Sequence, residues 1–176
     1  MKFTRAHGFF EYRRIKRLYK KAFPLCERKP FSIIKAMQKR GKTDIWYFED
    51  GGAFLGFAAT INGDDVVLID YFAVETKKRG LGFGTKMLKS LVDFYKPRGI
   101  FLEIEVPYES SKNYEERIRR KSFYLRAGFK PMNTYAKLFG VDMELLSIGC
   151  MLDFDEYRNF YLKNYGKSAF DNIKKI

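Results

Sequence analysis

Apolar residues recur along this chain with two different periods, and the changes of period mark its elements. From Phe9 to Phe23 the apolar set Phe9, Phe10, Ile15, Leu18, Tyr19, Ala22 and Phe23 recurs at three- and four-residue steps among basic residues, the pattern of an amphipathic helix. Pro24 ends it, because proline cannot continue the hydrogen-bonded ladder. A second, shorter helix is predicted from near Pro30 through Ile33, Ile34 and Met37 to Gly41, a suitable C-cap residue. A short strand over Lys2 to Ala6 precedes both. Residues 44–74 then read as a three-strand meander, joined at Asp50-Gly51-Gly52 and at Asn62-Gly63. Asn-Gly predicts a type I′ turn, whose two central residues need positive φ.

The helical period returns over residues 81–95, with Met87, Leu88, Leu91, Val92 and Tyr95 on one face and Pro97 and Gly99 closing the segment. IFLEIEV (100–106) is strand-like. Residues 113–127 form a polar helix with Ile118, Phe123, Tyr124 and Ala127 as its apolar positions, stopped at Gly128. Two strands are predicted at 134–139 and 143–152, and an aromatic helix at 154–165. No repeat or low-complexity tract interrupts the pattern. The expected fold class is α+β (α/β/α), one domain over 1–176. Its mixed, mostly antiparallel central sheet of about six to seven strands is flanked by helices, with one strand–helix–strand crossover between VVLIDYFAV and IFLEIEV.

Composition removes several function classes. A length of 176 residues suits one domain with a real core, and no segment approaches the ~20 apolar residues of a membrane helix. The N-terminal MKFTRAHGFF lacks the apolar middle and small-residue cleavage site of a secretory signal, so a cytoplasmic location is expected. Cys26 and Cys150 lie far apart without CxxC spacing and read as reduced thiols. One His and two Cys cannot supply four ligands to a structural zinc, and no aspartate cluster offers a carboxylate site, so no metal is expected. A His-based hydrolase would have only His7, which lacks a nucleophile motif nearby and reads as a polar residue at a strand end.

Charge adds a regional feature. The chain holds 34 Lys+Arg against 21 Asp+Glu, and residues 1–42 carry +12 of the net +13, with Glu11 and Glu27 as their only acids. Such a region attracts polyanions, whether nucleic acid, an anionic membrane surface or a phosphorylated ligand, unless it is a solvated helix face.

The segment VVLIDYFAVETKKRGLGFGTKML runs from a buried strand through a basic, glycine-rich turn into a helix. Gly80, Gly82 and Gly84 let a ligand approach the backbone, and the free first N–H groups of the helix favour an anion. Lys77, Lys78 and Arg79 add charge. GxxxxGK[ST] is absent, and GxGxxG fails at Thr85 and Met87, which disfavours a Walker ATPase and a Rossmann dehydrogenase.

Read as Arg79-Gly80-Leu81-Gly82-Phe83-Gly84, the turn resembles the [Q/R]-x-x-G-x-[G/A] signature of the GNAT acetyltransferase superfamily, preceded by a strand ending in Ala73-Val74. Downstream, Phe123-Tyr124-x-x-x-Gly128-Phe129 resembles that superfamily's fourth-helix motif, so the resemblance covers residues 44–152 in element order. It implies acetyl transfer from acetyl-CoA, as cosubstrate, to an amine acceptor, with residues 66–130 as the acetyl-CoA-binding core and 1–42 as a basic, acceptor-side helical region. By the resemblance, the turn amides of Arg79, Gly80, Leu81, Gly82, Phe83, Gly84 and Thr85 hold the pyrophosphate. The backbone of Phe72, Ala73 and Val74 pairs with the pantetheine arm, and the Val74 N–H polarises the thioester carbonyl. Tyr124 matches the tyrosine that protonates the departing thiolate; its other reading is packing beside Phe123.

An alkyl amine of pKa about 10.4 arrives protonated and must lose a proton. Asp70, four residues before Val74 on the same strand face, and Glu103, which alternates with Leu102 and Ile104, are the candidates to receive it. Alternatively the strand carboxylates pair with Arg117, Arg119 or Arg120. The fourth helix departs from the family pattern, with Arg117 where Asn would stand and Arg120 where a small residue would stand, and Asn113 is the nearest asparagine. No membrane partner is expected, and nucleic acid is disfavoured because the Pro24–Pro30 connection is too long for a helix-turn-helix. The 154–165 helix either packs on the sheet or forms a homodimer contact. The N-terminal charge favours an acceptor with a carboxylate or phosphate beside its amine over a strongly cationic one.

Overall fold

The computed structural model describes the backbone of residues 1–176 and every side chain except that of Cys26, so the expected thiol there lies outside the described residues. Strands β1 (Lys2–Arg5), β2 (Thr43–Asp50), β3 (Ala53–Asn62), β4 (Val66–Val74), β5 (Gly99–Glu105), β6 (Lys130–Leu138), β7 (Val141–Ile148) and β8 (Ile173–Lys175) form a sheet in the order β1-β2-β3-β4-β5-β7-β6-β8. Helices α1 (Phe9–Ala22), α2 (Phe31–Lys39), α3 (Phe83–Tyr95), α4 (Tyr114–Arg126), α5 (Phe154–Tyr165) and α6 (Lys167–Asp171) join them. β4 and β5 pair in parallel across the α3 crossover, while β1–β2, β2–β3, β5–β7, β6–β7 and β6–β8 are antiparallel. This is the mixed α+β class that the sequence predicts, with eight strands. The last strand and α6 were too short to leave a periodic signal. Among the described residues no helix is long and apolar enough to cross a membrane.

Packing divides the chain into two units, residues 1–62 with 69–91 and residues 63–68 with 92–176. In the first, Ile15, Leu18 and Tyr19 of α1 and Ile34 of α2 bury against Ile45, Tyr47, Phe57 and Tyr71 of the strands. The predicted helical stripe packs inward from Ile15 onward, but Phe9 and Phe10 stand 73% and 74% exposed in the first turn of α1. Glu11 fixes that turn, its Oε2 accepting from the backbone N–H groups of His7 at 2.8 Å and Gly8 at 2.9 Å. Gly51 and Gly52, both at positive φ, make the β2–β3 turn between the paired residues Asp50 and Ala53. In β3, Phe48 faces Gly56 and Glu49 faces Phe54, so Leu55 is an extra, bulged residue.

In the second unit, β5 is central and buried, and Tyr157 and Phe160 of α5 pack on Phe101 with ring centroids 6.5 Å and 5.1 Å apart. Asp153 and Glu156 cap α5 reciprocally, each side chain accepting from the other's backbone N–H at 2.8–2.9 Å, which sets the predicted start at residue 154. Cys150 is a free, half-buried thiol, pushed up to about 11 by burial against a hydrogen bond with Ser147.

Two turns correct the sequence reading. Asn62 belongs to β3, and neither it nor Gly63 is at positive φ, so the Asn-Gly type I′ turn does not form. Gly63 is required instead by crowding, since a Cβ there would lie 2.8 Å from both the Phe160 ring and the Val66 carbonyl. Besides Gly51-Gly52, a two-residue turn with both φ positive occurs at Phe139-Gly140, between the paired Leu138 and Val141, where the sequence offered no Asn or Asp. That placement shifts the last two predicted strands from 134–139 and 143–152 to 130–138 and 141–148.

Candidate active site

The glycine turn is built by three elements of the first unit. Along the end of β4, Ile69, Tyr71 and Ala73 are buried while Asp70, Phe72 and Val74 are less completely covered, the alternation of a strand with one covered face. The β3 bulge secures the strand's exit, its Leu55 carbonyl accepting from Glu75 N–H at 2.8 Å. Gly56 lets the backbones meet, for a Cβ there would lie 2.2 Å from the Ala73 carbonyl oxygen and 2.9 Å from the Met87 Cε of α3. Thr76–Lys78 make a single 3-10 turn, and the Arg79 Nε–H donates back to the Val74 carbonyl at 3.2 Å. Gly80 and Gly82 follow at φ of +76° and +77°, with open space where a Cβ would stand. The first bond of α3 runs from Lys86 N–H to Gly82 C=O at 3.2 Å.

This geometry suits an anionic chain laid over the turn. The N–H groups of Phe83, Gly84 and Thr85 occupy the first turn of α3, where no intrahelical carbonyl precedes them. Lys77, Arg79, Leu81, Thr85 and Lys86 are exposed around it. The two glycines supply the left-handed conformation and leave their outer face bare. Phe72, Ala73 and Val74 sit beyond the parallel β4–β5 ladder, which spans Val66–Leu68 opposite Gly99–Phe101. The predicted cofactor-binding residues thus fall in two runs, 72–74 and 79–85, within one unit, with Asp70 on the same strand as the first.

Asp70 is held by a residue that sequence reasoning did not single out. Lys29 Nζ donates to its Oδ1 at 2.7 Å and its Oδ2 at 2.9 Å. The connector carrying Lys29 is fastened by two buried tyrosines. Tyr71 donates its hydroxyl to the Glu27 carbonyl at 2.9 Å and accepts from Lys29 N–H at 3.1 Å, while Tyr19 donates to the Lys29 carbonyl at 3.0 Å. Burial raises the Tyr71 phenol well above its ordinary range, with the Asp70 charge adding to it. No spacing signal joins Lys29 to Asp70 across 41 residues.

The remaining candidates belong to the second unit. Glu103 Oε1 accepts from Tyr157 OH at 2.8 Å and Tyr161 OH at 2.7 Å, a pair on one face of α5 whose four-residue spacing was visible in the sequence. Glu105 takes the arginine pairing, with Arg117 Nη2 at 2.7 Å and Arg120 Nη1 at 3.6 Å. Arg117 also donates to the Val106 carbonyl at 2.8 Å and the Asn113 Oδ1 at 2.9 Å, so Asn113 helps fix the start of α4. Tyr124 is 9% exposed, with its ring 5.2 Å from that of Phe123 and 5.9 Å from that of Phe129. Burial pushes its phenol up to about 12, against the pull of Arg120, so the phenol is protonated at neutral pH.

Residues 41–131, just over half of the chain, match the family model described as "Acetyltransferase (GNAT) domain". "Putative acetyltransferase YjbC" of Bacillus subtilis (strain 168) is 32% identical over 108 residues, 61% of this chain and 52% of that protein, so the match spans about half the length of this curated relative. Among solved structures, a "Putative acetyltransferase from GNAT family" of Bacteroides thetaiotaomicron superposes with a TM-score of 0.81 at 24% identity, covering 95% of this chain and 99% of that one. An aminoglycoside 6'-N-acetyltransferase in complex with coenzyme A gives a TM-score of 0.64 at 14% identity, covering 84% and 96%. These two likenesses speak for the fold. Because the matched segment runs from just before β2, through the glycine turn, into β6, the chain belongs to the GNAT acetyltransferase family.

Proposed function

We propose that this protein transfers an acetyl group from acetyl-CoA to a primary amine of a small molecule or peptide. The observation that carries this reading is the bare turn at Gly80 and Gly82, which joins the end of β4 to the free amides of α3 among basic side chains. A pyrophosphate is the anion such a turn accommodates. The coenzyme A complex of a fold neighbour supports the same assignment. When bound, acetyl-CoA supplies an acyl carbon activated as a thioester.

The residues of the chain do the rest. Phe72–Val74 offer backbone groups beyond the β4–β5 ladder to align the pantetheine arm, and Val74 N–H donates to the thioester carbonyl as negative charge develops on its oxygen. The acceptor nitrogen forms the C–N bond directly as the C–S bond breaks. Tyr124 gives its phenolic proton to the leaving thiolate, and the ammonium's proton leaves through a carboxylate, Asp70 or Glu103, or through water.

Acetyl-CoA incubated with pools of amines and followed by release of free thiol tests the reading. Turnover that falls in Tyr124→Phe is expected. No thiol release from any pool, with no coenzyme binding by calorimetry, would overturn it.

A further inference from the structure

Between α1 and residues 25–31 lies a cleft of about 200 Å³. Tyr19 and Phe31 form its apolar floor, and Lys16, Lys20, Arg28 and Lys29 stand around it. Among the described residues no carboxylate lines it. The Asp70 carboxylate takes up the Lys29 ammonium from outside the cleft, and among the described residues Lys16, Lys20 and Arg28 make no ion pair. Arg28 Nε is buried and has no hydrogen-bond partner. An orphaned buried donor of this kind costs free energy unless a ligand or water satisfies it. The site is also preformed, since the Tyr19 and Tyr71 bonds fix the backbone on either side of Arg28.

Resting on the acetyl-transfer reading, we propose that the acceptor carries an oxyanion, a carboxylate or a phosphate, on a short apolar stem, and that this cleft binds it. The guanidinium of Arg28 matches the planar or tetrahedral oxygens of such a group, and Lys16 and Lys20 add long-range attraction. The apolar floor accepts the stem. Lys29 links the cleft to Asp70, so the acceptor's amine end is directed along β4 towards Val74.

The test has a binding arm and a catalytic arm. Isovalerate and inorganic phosphate, titrated separately into the coenzyme-free protein, are followed through the amide NMR shifts of residues 25–31. Saturable shifts with one or both probes are expected, weakened roughly tenfold or more in Arg28→Gln. The Lys16→Gln/Lys20→Gln variant, altered on an exposed helix face, serves if Arg28→Gln does not fold. No saturable shift with either probe, or equal affinity in the variants, overturns the proposal. In the catalytic arm, leucine is compared with isopentylamine and phosphoethanolamine with ethanolamine. A higher kcat/KM for the anionic member of a pair, lost in Arg28→Gln with coenzyme affinity unchanged, supports the site, and the pair affected tells carboxylate from phosphate. Preference for the neutral amines, or weakened coenzyme binding in Arg28→Gln, overturns it while leaving acetyl transfer standing. Oxyanion binding with neither thiol release from any amine nor coenzyme binding keeps the oxyanion site and sinks the acetyl-transfer reading.

Discussion

The ammonium of Lys29 lies 2.7 Å and 2.9 Å from the two carboxylate oxygens of Asp70, tying the α1–α2 connector to the strand that feeds the glycine turn. The Asp70 side chain is 9% exposed and that of Lys29 31%, so removing one partner leaves a poorly solvated charge. Asp70→Asn should destabilise the fold by about 2 kcal/mol, and Lys29→Met/Asp70→Asn by less than the sum of the single changes. Urea unfolding of the four proteins of the cycle measures this. Additive losses would show that the two side chains do not interact in solution.

Gly56 and Gly82 should respond differently to alanine. At Gly56 the new methyl would meet the Ala73 carbonyl oxygen at 2.2 Å, a backbone atom that cannot step aside, so Gly56→Ala should cost about 3 kcal/mol. At Gly82 nothing lies within 4 Å and only the positive φ is strained, a cost of about 1 kcal/mol. Coenzyme affinity should nevertheless fall in Gly82→Ala, because the methyl projects from the bare face. Thermal melts and coenzyme calorimetry on both variants separate stability from binding.

Tyr124→Phe should lower kcat by about 10²-fold at neutral pH while leaving coenzyme affinity near wild type. With the phenol at about 12 in the folded protein against an ordinary 10.0, no falling limb of kcat assignable to Tyr124 should appear below about pH 11. The same displacement makes a stability prediction. A raised folded value favours the protonated phenol, so its contribution is fully present below pH 10 and is lost between about pH 10 and 12. Unfolding curves across that window should fall less steeply in Tyr124→Phe.

Glu103→Ala would leave the hydroxyls of Tyr157 and Tyr161 without their shared acceptor, and a loss of about 2 kcal/mol is expected. Glu103→Gln keeps an acceptor oxygen and should retain most of the stability while lowering kcat/KM. An unchanged kcat/KM in that variant would assign the carboxylate to holding α5 alone.

What could be read from the sequence was what short segments decide for themselves. The helical stripe from Ile15, the apolar face of α3, the start of α5 and the glycine turn all depend on residues within one or two turns of each other. What could not be read depends on contacts made across the fold. Gly63 looked like half of an Asn-Gly turn because the Phe160 ring that excludes a side chain there lies almost a hundred positions away. Phe139 adopts a positive φ at 47° that its residue type disfavours, and its N–H donates to the Asn172 carbonyl at 3.0 Å. Among the candidate site residues, the turn was legible as a motif. The partners of Asp70 and Glu103 were not, because each reaches its carboxylate from more than 40 residues away.

The bulge at Leu55 and the bare α-carbon of Gly56 bear on how this turn could be moved between proteins. Its strand exit hangs from the Leu55 carbonyl, and its path past β3 exists only where position 56 has no side chain. Residues 74–86 grafted alone onto another scaffold would carry the sequence of the turn without its support. A portable module has to include residues 53–57 as well, so the smallest transferable unit is two separate stretches of chain.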